Sequence, residues 1–320
     1  MTLALVTGGA GFIGSHLARA LLERRWRVRV LDDFSSGSEK NLPVADDRLE
    51  VLRGDVRDPG AVRESVRGAD IVFHEAAFVS VPQSLVAPEA CLSVNVQGTQ
   101  TLLDASRAAG VRRVVLASSA AVYGDNPAIP LTEDMPSRCL SPYAASKQMD
   151  EVLADLYTRA MGLEVTALRY FNVFGPRQSP DSDYAAAVPI FIQRMLERRP
   201  VTIYGDGGQT RDLIYVADVA QANIIAAEHP AAAGQVLNVC TGRETRLLDL
   251  LEELQKLFPS APQPEYAPSR AGDIYRSAGS PLRAESVLGF RAATPLLEGL
   301  EKTVYWMKNE LRDGMASHPS

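Results

Sequence analysis

The stretch Thr7–Ala18, TGGAGFIGSHLA, carries glycines at 8, 9, 11 and 14. It follows a short apolar run and opens an amphipathic one. Glycines clustered at the mouth of a helix cost conformational entropy, so their presence restricts what the segment can be. A glycine permits positive φ at a tight turn, and a missing side chain lets another group approach the backbone. The first helical turn then offers amides without intrahelical partners, at the positive end of the helix dipole. The spacing Gly8-x-x-Gly11-x-x-Gly14, with Phe12 and Ile13 between the last two, therefore predicts a loop that holds a dinucleotide pyrophosphate.

The rest of the first half agrees with such a loop. Strand-like apolar runs occur at Leu3–Thr7, Val28–Leu31, Leu49–Leu52, Ile71–His74, Arg113–Ala117 and Val165–Arg169. Helix-like stretches alternate with them at Ser15–Arg25, Ala61–Arg67, Ser93–Ala109 and Ser146–Arg159. Near-continuous apolar strands separated by helices imply a parallel sheet covered on both faces. The expected class is α/β, a Rossmann-type doubly wound sheet. After about Gly175 the pattern turns to helices (Ala186–Leu196, Leu247–Phe258, Leu296–Lys308) and to Pro- and Gly-rich loops, including an extended one at Ser260–Asp273. This predicts a smaller, mainly C-terminal, substrate-binding domain. Residues 1–175 would form the dinucleotide domain, with 213–240 returning to it through a strand at Gln235–Val239. Residues 176–212 and 241–312 would form the second domain, and 313–320 a frayed tail.

Asp32 ends the second strand, eighteen residues after Gly14. A carboxylate there accepts both hydroxyls of an adenosine ribose and repels a 2′-phosphate, which selects NAD over NADP. Asp33 follows it, and Asp55 and Val56 after the third strand fall where adenine would lie. Tyr143 and Lys147, in SPYAASK, share a helical face. An ammonium beside a phenol stabilises the phenolate, which can then act as general base on a sugar hydroxyl. Ser118 and Ser119 end the fifth strand, at the strand edge where ligands of open α/β sheets bind. Ser119 is the first choice to hydrogen-bond the reacting oxygen, with Ser118 second.

With these residues together, the chain resembles the extended short-chain dehydrogenase/reductase family from TGGAGFIGSHL to about Trp306. Within that family it is most similar to the UDP-hexose 4-epimerases. The segments AAFVSVPQS, NVQGT, SSAAVYGD, SPYAASK, LRYFNVFGPRQ, YGDGGQTRDLIYVADVA and RAGD carry the likeness. Related 4,6-dehydratases have an Asp-Glu pair after the catalytic hydroxyl, where this chain has Ala120 and Ala121. The resemblance implies bound NAD, a UDP-sugar substrate and catalysis by Ser119, Tyr143 and Lys147. It places Ala76, Ala77, Asn95, Ser118 and Tyr170 around the cofactor. It places Ser80, Asn172, Gln178, Val188 and Tyr204 around the substrate, with Arg211 and Arg270 on the diphosphate and Asp273 near the uridine ribose. Ser277 falls at the position that limits the sugar's 2-substituent, and its small side chain implies room for an N-acetyl group. A homodimer through Ser93–Ala109 and Ser146–Arg159 is also implied. Another nucleotide-sugar epimerase or reductase, such as a CDP-deoxyhexose 2-epimerase, and a catalytically silent NAD-binding module remain as alternatives.

The bulk numbers limit other classes. A formal net charge of −6 argues against a nucleic-acid surface. Three scattered cysteines without a CxxC pair argue for a reducing, cytoplasmic setting and against a metal site. The N-terminal apolar run is too short for a membrane span.

Overall fold

A computed structural model describes residues 1–316 apart from Val44, residues 181–185 and residues 270–273, with side chains described to Glu310. Seven strands form the central sheet: β1 (Leu3–Thr7), β2 (Arg27–Asp32), β3 (Leu49–Arg53), β4 (Ile71–His74), β5 (Arg113–Ser119), β6 (Glu164–Tyr170) and β11 (Val236–Val239). Their order is β3-β2-β1-β4-β5-β6-β11, and every pair is parallel. Every residue of β1 and β4 is buried, as a sheet covered on both faces requires. The order reverses between β1 and β4, the switch point at which such sheets bind ligands. The fold is the doubly wound Rossmann type.

One face is covered by α1 (Phe12–Glu23) and α8 (Val216–Glu228), whose Leu17, Leu21, Val219 and Ile224 pack on Val6, Phe73 and Val115. The other is covered by α2 (Pro59–Val66), α5 (Gly98–Ala108) and α6 (Pro142–Ala160), through Val62, Leu102, Leu103, Ala154 and Tyr157. Two short helices, α3 (Val81–Val86) and α4 (Pro88–Leu92), pack beside α6, and a π-helical turn at Ser93–Gln97 leads from α4 into α5.

A second core joins α7 (Ala187–Leu196), α9 (Leu247–Leu257) and α11 (Leu296–Ala316) through Phe191, Ile192, Leu251, Leu254, Leu300 and Val304. Short strands edge it. These are β7 (Asn172–Phe174) with β10 (Leu213–Tyr215), β8 (Thr202–Tyr204) with β13 (Glu265–Ala267), and β9 (Thr210–Arg211) between β12 (Thr245–Arg246) and β14 (Arg276–Ser277). The stretch expected as one loop from Ser260 thus contains a strand, β13. Residues 241–312 do not all join the second core. Helix α10 (Leu282–Leu288) packs its Ala284 and Leu288 into the first, against β11. The tail expected to fray from 313 is helical to Ala316.

Between the cores, buried Asp212 accepts from the Thr241 amide at 2.8 Å, the Thr241 hydroxyl at 2.7 Å and the Gly242 amide at 2.9 Å. It fixes two crossings of the chain together. Among the described residues, no helix is long and apolar enough to cross a membrane.

Candidate active site

The glycine loop has the geometry of a cradle. Gly8 has φ +67°, and a Cβ there would come within 2.6 Å of the Ala76 amide nitrogen. A Cβ at Gly14 would sit 2.2 Å from the Gly8 carbonyl oxygen, so helix and loop touch only because Gly14 has none. Helix α1 starts at Phe12, three residues before the sequence pattern suggests, and Gly11 gives it no side-chain cap. The amides of its first turn therefore remain for a ligand. The side chains of Phe12 and Ile13 instead pack into the second core, so these two residues offer the cradle their backbone.

Asp32 is buried at the end of β2. It accepts from the Ala10 amide and the Phe34 amide, both at 2.8 Å. Burial raises its carboxyl above the usual range, while those two bonds pull it down. A carboxylate has about four acceptor positions, so two ribose hydroxyls can still be accommodated. Asp33 accepts from the Ser35 amide and hydroxyl. Asp55 is held by the Arg57 side chain, which lowers its pKa. Val56 turns into the core, where a Cβ on Gly98 would meet its Cγ2 at 2.8 Å. An open cradle at a helix N-terminus, beside a carboxylate at the end of β2, fits NAD.

Beyond β4 and β5 lie the candidate catalytic groups. Ser141 caps α6, Pro142 occupies its first position, and Tyr143 stands in the first turn. The Tyr143 amide donates to Ser84 Oγ of α3 at 3.2 Å. Lys147 is buried and reaches Asp150 Oδ2 at 3.4 Å. Burial pushes Asp150 up to about 6, against the Lys147 charge. Ser119 Oγ accepts from the Ala121 amide at 3.2 Å, which leaves its own proton to donate. The turn Ala120–Tyr123 that it caps packs on α6, and the carboxylates of a dehydratase are absent at Ala120 and Ala121.

Ser118 does not stand beside Ser119 as a second candidate. Its hydroxyl points to the opposite side of the strand and donates at 2.5 Å to Glu151, which is itself locked by two 2.8 Å bonds to Arg169. That side chain serves the fold. Tyr170 also ends in a closed set: its hydroxyl donates to Glu75 at 2.7 Å and accepts from Asn223 at 2.7 Å. Asn95 is buried in the π-helical turn. It accepts from the Phe78 amide at 2.7 Å and donates to Ser146 Oγ at 2.8 Å, which fixes the strand-end loop containing Ala76 and Ala77 against α6. The Ala76 amide faces Thr7 Oγ1 at 3.3 Å.

A cleft of about 740 Å³ opens in the second lobe. Four of the expected substrate residues, Asn172, Val188, Tyr204 and Arg211, line it. Arg194, Arg199 and Arg246 line it too, the last two ion-paired with Glu197 and Asp249. Ser277 is paired with Arg211 across β14 and β9. Ser80 caps α3 directly before Val81, which is part of the cleft wall. Ser84 of the same helix bonds both the Val81 carbonyl and the Tyr143 amide, which links the cleft to the candidate base. Gln178 donates to the Val173 carbonyl at 3.1 Å, behind that wall. Arg270 and Asp273 lie outside the described residues.

Residues 4–240 match the NAD dependent epimerase/dehydratase family. The chain belongs to that family. NAD is accordingly its cofactor. Among relatives, it is 41% identical over 312 residues to the UDP-glucose 4-epimerase of Mycolicibacterium smegmatis, covering 96% of this chain and 98% of the relative. Among solved structures, it superposes with TM-score 0.93 and 36% identity on the UDP-N-acetylglucosamine 4-epimerase of Methanobrevibacter ruminantium M1, in complex with UDP-N-acetylmuramic acid, covering 97% and 99%. The UDP-glucose 4-epimerase of Thermotoga maritima, with UDP-glucose, gives 0.92 and 36%, covering 97% and 100%.

Two features of the site escape a motif-based reading. Ser84 holds the backbone of Tyr143 from a helix that motif spacing does not connect to it. His74 and Glu75 put two titratable groups at the end of a buried strand, a signal visible in VFHEAA. His74 bonds Thr7 Oγ1 at 2.7 Å and Thr99 Oγ1 at 2.9 Å, and burial lowers it to about 3.

Proposed function

We propose that the protein inverts C4 of a UDP-hexose. The observation that carries this reading is the joining of Tyr143, through Ser84 of α3, to an arginine-lined cleft, together with Lys147 one turn further along α6 and alanines at 120 and 121. Tyr143, as phenolate, takes the proton of the sugar 4-OH, and Ser119 hydrogen-bonds the same oxygen. Lys147, held by Asp150, supplies an ammonium one helical turn from Tyr143 on α6. Bound NAD supplies a hydride acceptor that is restored when the hydride returns. The 4-keto sugar stays attached to its diphosphate, which Arg211 and its neighbours grip while the ring turns over. Guanidinium forks suit those oxygens, and binding energy remote from C4 keeps the intermediate in place. Without a carboxylate at 120 or 121, no group there removes a C5 proton or expels a hydroxyl.

Ser277 beside Arg211 leaves room for an N-acetyl group, so both UDP-Glc/UDP-Gal and UDP-GlcNAc/UDP-GalNAc are proposed substrates. Arg270 and Asp273 complete the nucleotide site in this reading. The protein works in the cytoplasm as a homodimer. Support for the dimer comes from exposed Met149, Val152 and Leu156 along α6, with Leu85, Val86 and Leu92 on the neighbouring α3 and α4.

Incubation with each of the four UDP-sugars, without added cofactor, tests the reaction by proton NMR of the sugar ring. Appearance of the 4-epimer, lost in Tyr143→Phe, supports it. Stoichiometric accumulation of NADH, or loss of a hydroxyl, would replace it with net oxidation or dehydration.

A further inference from the structure

Glu75 is a carboxyl group at this site to which the proposed chemistry gives no task. It follows β4 directly, and its amide donates to the Thr7 carbonyl at 3.1 Å. Its backbone lies against the glycine loop, since a Cβ on Gly8 would come within 2.9 Å of the Glu75 carbonyl carbon. The side chain takes the α1/α8 side of the sheet, opposite to His74. There Oε1 accepts from the Tyr170 hydroxyl of β6 at 2.7 Å, and the Tyr170 oxygen accepts from Asn223 Nδ2 of α8 at 2.7 Å. Asn223 Nδ2 is fixed in turn by the Val219 carbonyl at 2.9 Å. Strand β5 lies between β4 and β6, and its Ala117 faces the same side of the sheet. The carboxyl is thus anchored across three strands, beside the loop that holds Ala76 and Ala77.

The charges around it do not balance within the protein. His74, on the same strand, is held neutral by burial. Tyr170 and Asn223, from β6 and α8, are uncharged donors. From α6 come Lys147, whose field acts on Glu75, and Asp150, which already pairs with that lysine. One cation therefore faces two carboxyl groups. Burial pushes Glu75 up to about 7, while the Tyr170 bond and the Lys147 charge pull it down. An oxidised nicotinamide ring adds the missing positive charge, and a reduced ring does not.

We propose that Glu75 is the counter-charge of the oxidised nicotinamide ring and takes up a proton when that ring is reduced. The balance is simple. Hydride arrival neutralises the ring, and one proton from water converts the Glu75 carboxylate to the acid. Return of the hydride releases that proton. The redox poise of a retained cofactor is thereby tied to a protein group outside the acid–base pair at the sugar. Tyr170 and Asn223 are positioning residues for it. The inference rests on NAD binding at this site and not on which sugar is turned over.

The test is a redox titration of the NAD-loaded protein, with a mediator dye and no sugar, between pH 6 and about 8.5. The reduced fraction is read from the absorbance of the reduced ring. Reduction by hydride consumes one proton, so at fixed potential the reduced-to-oxidised ratio falls tenfold per pH unit, equivalent to about 30 mV for a two-electron couple. A coupled Glu75 proton steepens this towards a hundredfold per unit. Because Tyr143 can contribute a proton of its own, the comparison is made in a Tyr143→Phe background. There the steep response is expected with Glu75 present, and the tenfold response in Tyr143→Phe/Glu75→Gln. Equal slopes in the two proteins would overturn the proposal. If Glu75→Gln does not fold, Tyr170→Phe removes a bond that favours the charged carboxyl, and the steep region moves to higher pH. A steep region that stays in place would overturn it. Infrared difference spectra of the wild-type protein should gain a protonated-carboxyl stretch on reduction. Its absence would also overturn it.

Discussion

Gly11 separates what the fold needs from what the ligand needs. Its backbone lies at φ −77° and ψ −174°, a conformation open to any residue. A Cβ built there meets only the Gly8 carbonyl oxygen, at 3.1 Å. Gly14 is different, because its Cβ would fall 2.2 Å from that same oxygen and 2.8 Å from Gly9 Cα. Gly14→Ala must therefore move the loop, and overpacking of this kind costs about 1–3 kcal/mol. Gly11→Ala requires a shift of a few tenths of an ångström. It gives up a modest N-cap preference and gains from reduced unfolded-state entropy. The cofactor-free Gly11→Ala protein should keep its stability to within about 1 kcal/mol. The added methyl nevertheless stands at the mouth of the uncapped first turn, where the pyrophosphate must approach the amides. The assay is twofold: NAD content of the purified proteins after acid release, and urea unfolding of both variants and wild type after the cofactor has been stripped. Gly11→Ala should lose NAD while unfolding like stripped wild type, and Gly14→Ala should lose on both counts. Stoichiometric NAD in Gly11→Ala would refute the claim that this glycine is there for the ligand.

Glu151→Gln leaves the Arg169 guanidinium buried without its counter-ion. Breaking a buried pair in this way costs about 3–5 kcal/mol, to be read from the urea midpoint, and an unchanged midpoint would contradict it. His74 carries a folded-state pKa of about 3 against an unfolded 6.5, so the folded state binds fewer protons. The stability it contributes is present above pH 6.5 and is lost as pH falls towards 3. The gap between wild type and His74→Asn should therefore shift against wild type by about 1.4 kcal/mol per pH unit below 6.5, measured by urea titrations at successive pH values. Ser84→Ala removes one hydrogen bond to the Tyr143 amide, worth about 0.5–1.5 kcal/mol. The expected result is a fall in kcat of about two- to tenfold with little change in KM, and an unaltered kcat would show that α3 does not position the base.

Much of the frame was readable because apolar runs bounded by glycine and helix signals are strong evidence for buried parallel strands. The bounds of β1 and β4 follow directly from such runs. Helix α1 begins earlier than its periodicity suggests because Phe12, Ile13 and Gly14 serve the loop and the first turn together. Strand β13 was illegible for a physical reason. Its partner β8 lies some sixty residues away, and Glu265 and Tyr266 are both exposed, so no alternation marks them. The two serines ending β5 could have been separated by parity. Ser118 continues the row of Val114 and Leu116, which face α5 and α6, and Ser119 falls on the other side. The role of Ser84 depends on how α3 meets α6, which no local pattern encodes.

Strand β11 completes the sheet from a late position in the chain. Buried β6 ends at Tyr170, and its outer neighbour begins only at Val236, after the chain has built β7 to β10 and α7. At about 5–20 residues per second of synthesis, the sixty-five residues between them take about 3–13 s to emerge. Through that interval β6 is an apolar edge with free backbone groups, the kind of surface that pairs with another chain. A nascent chain stalled in this window, or a fragment ending near Gly175, should be held by chaperones or aggregate. The weave that unites the two lobes thus sets the time for which the newborn protein is most exposed to others of its kind.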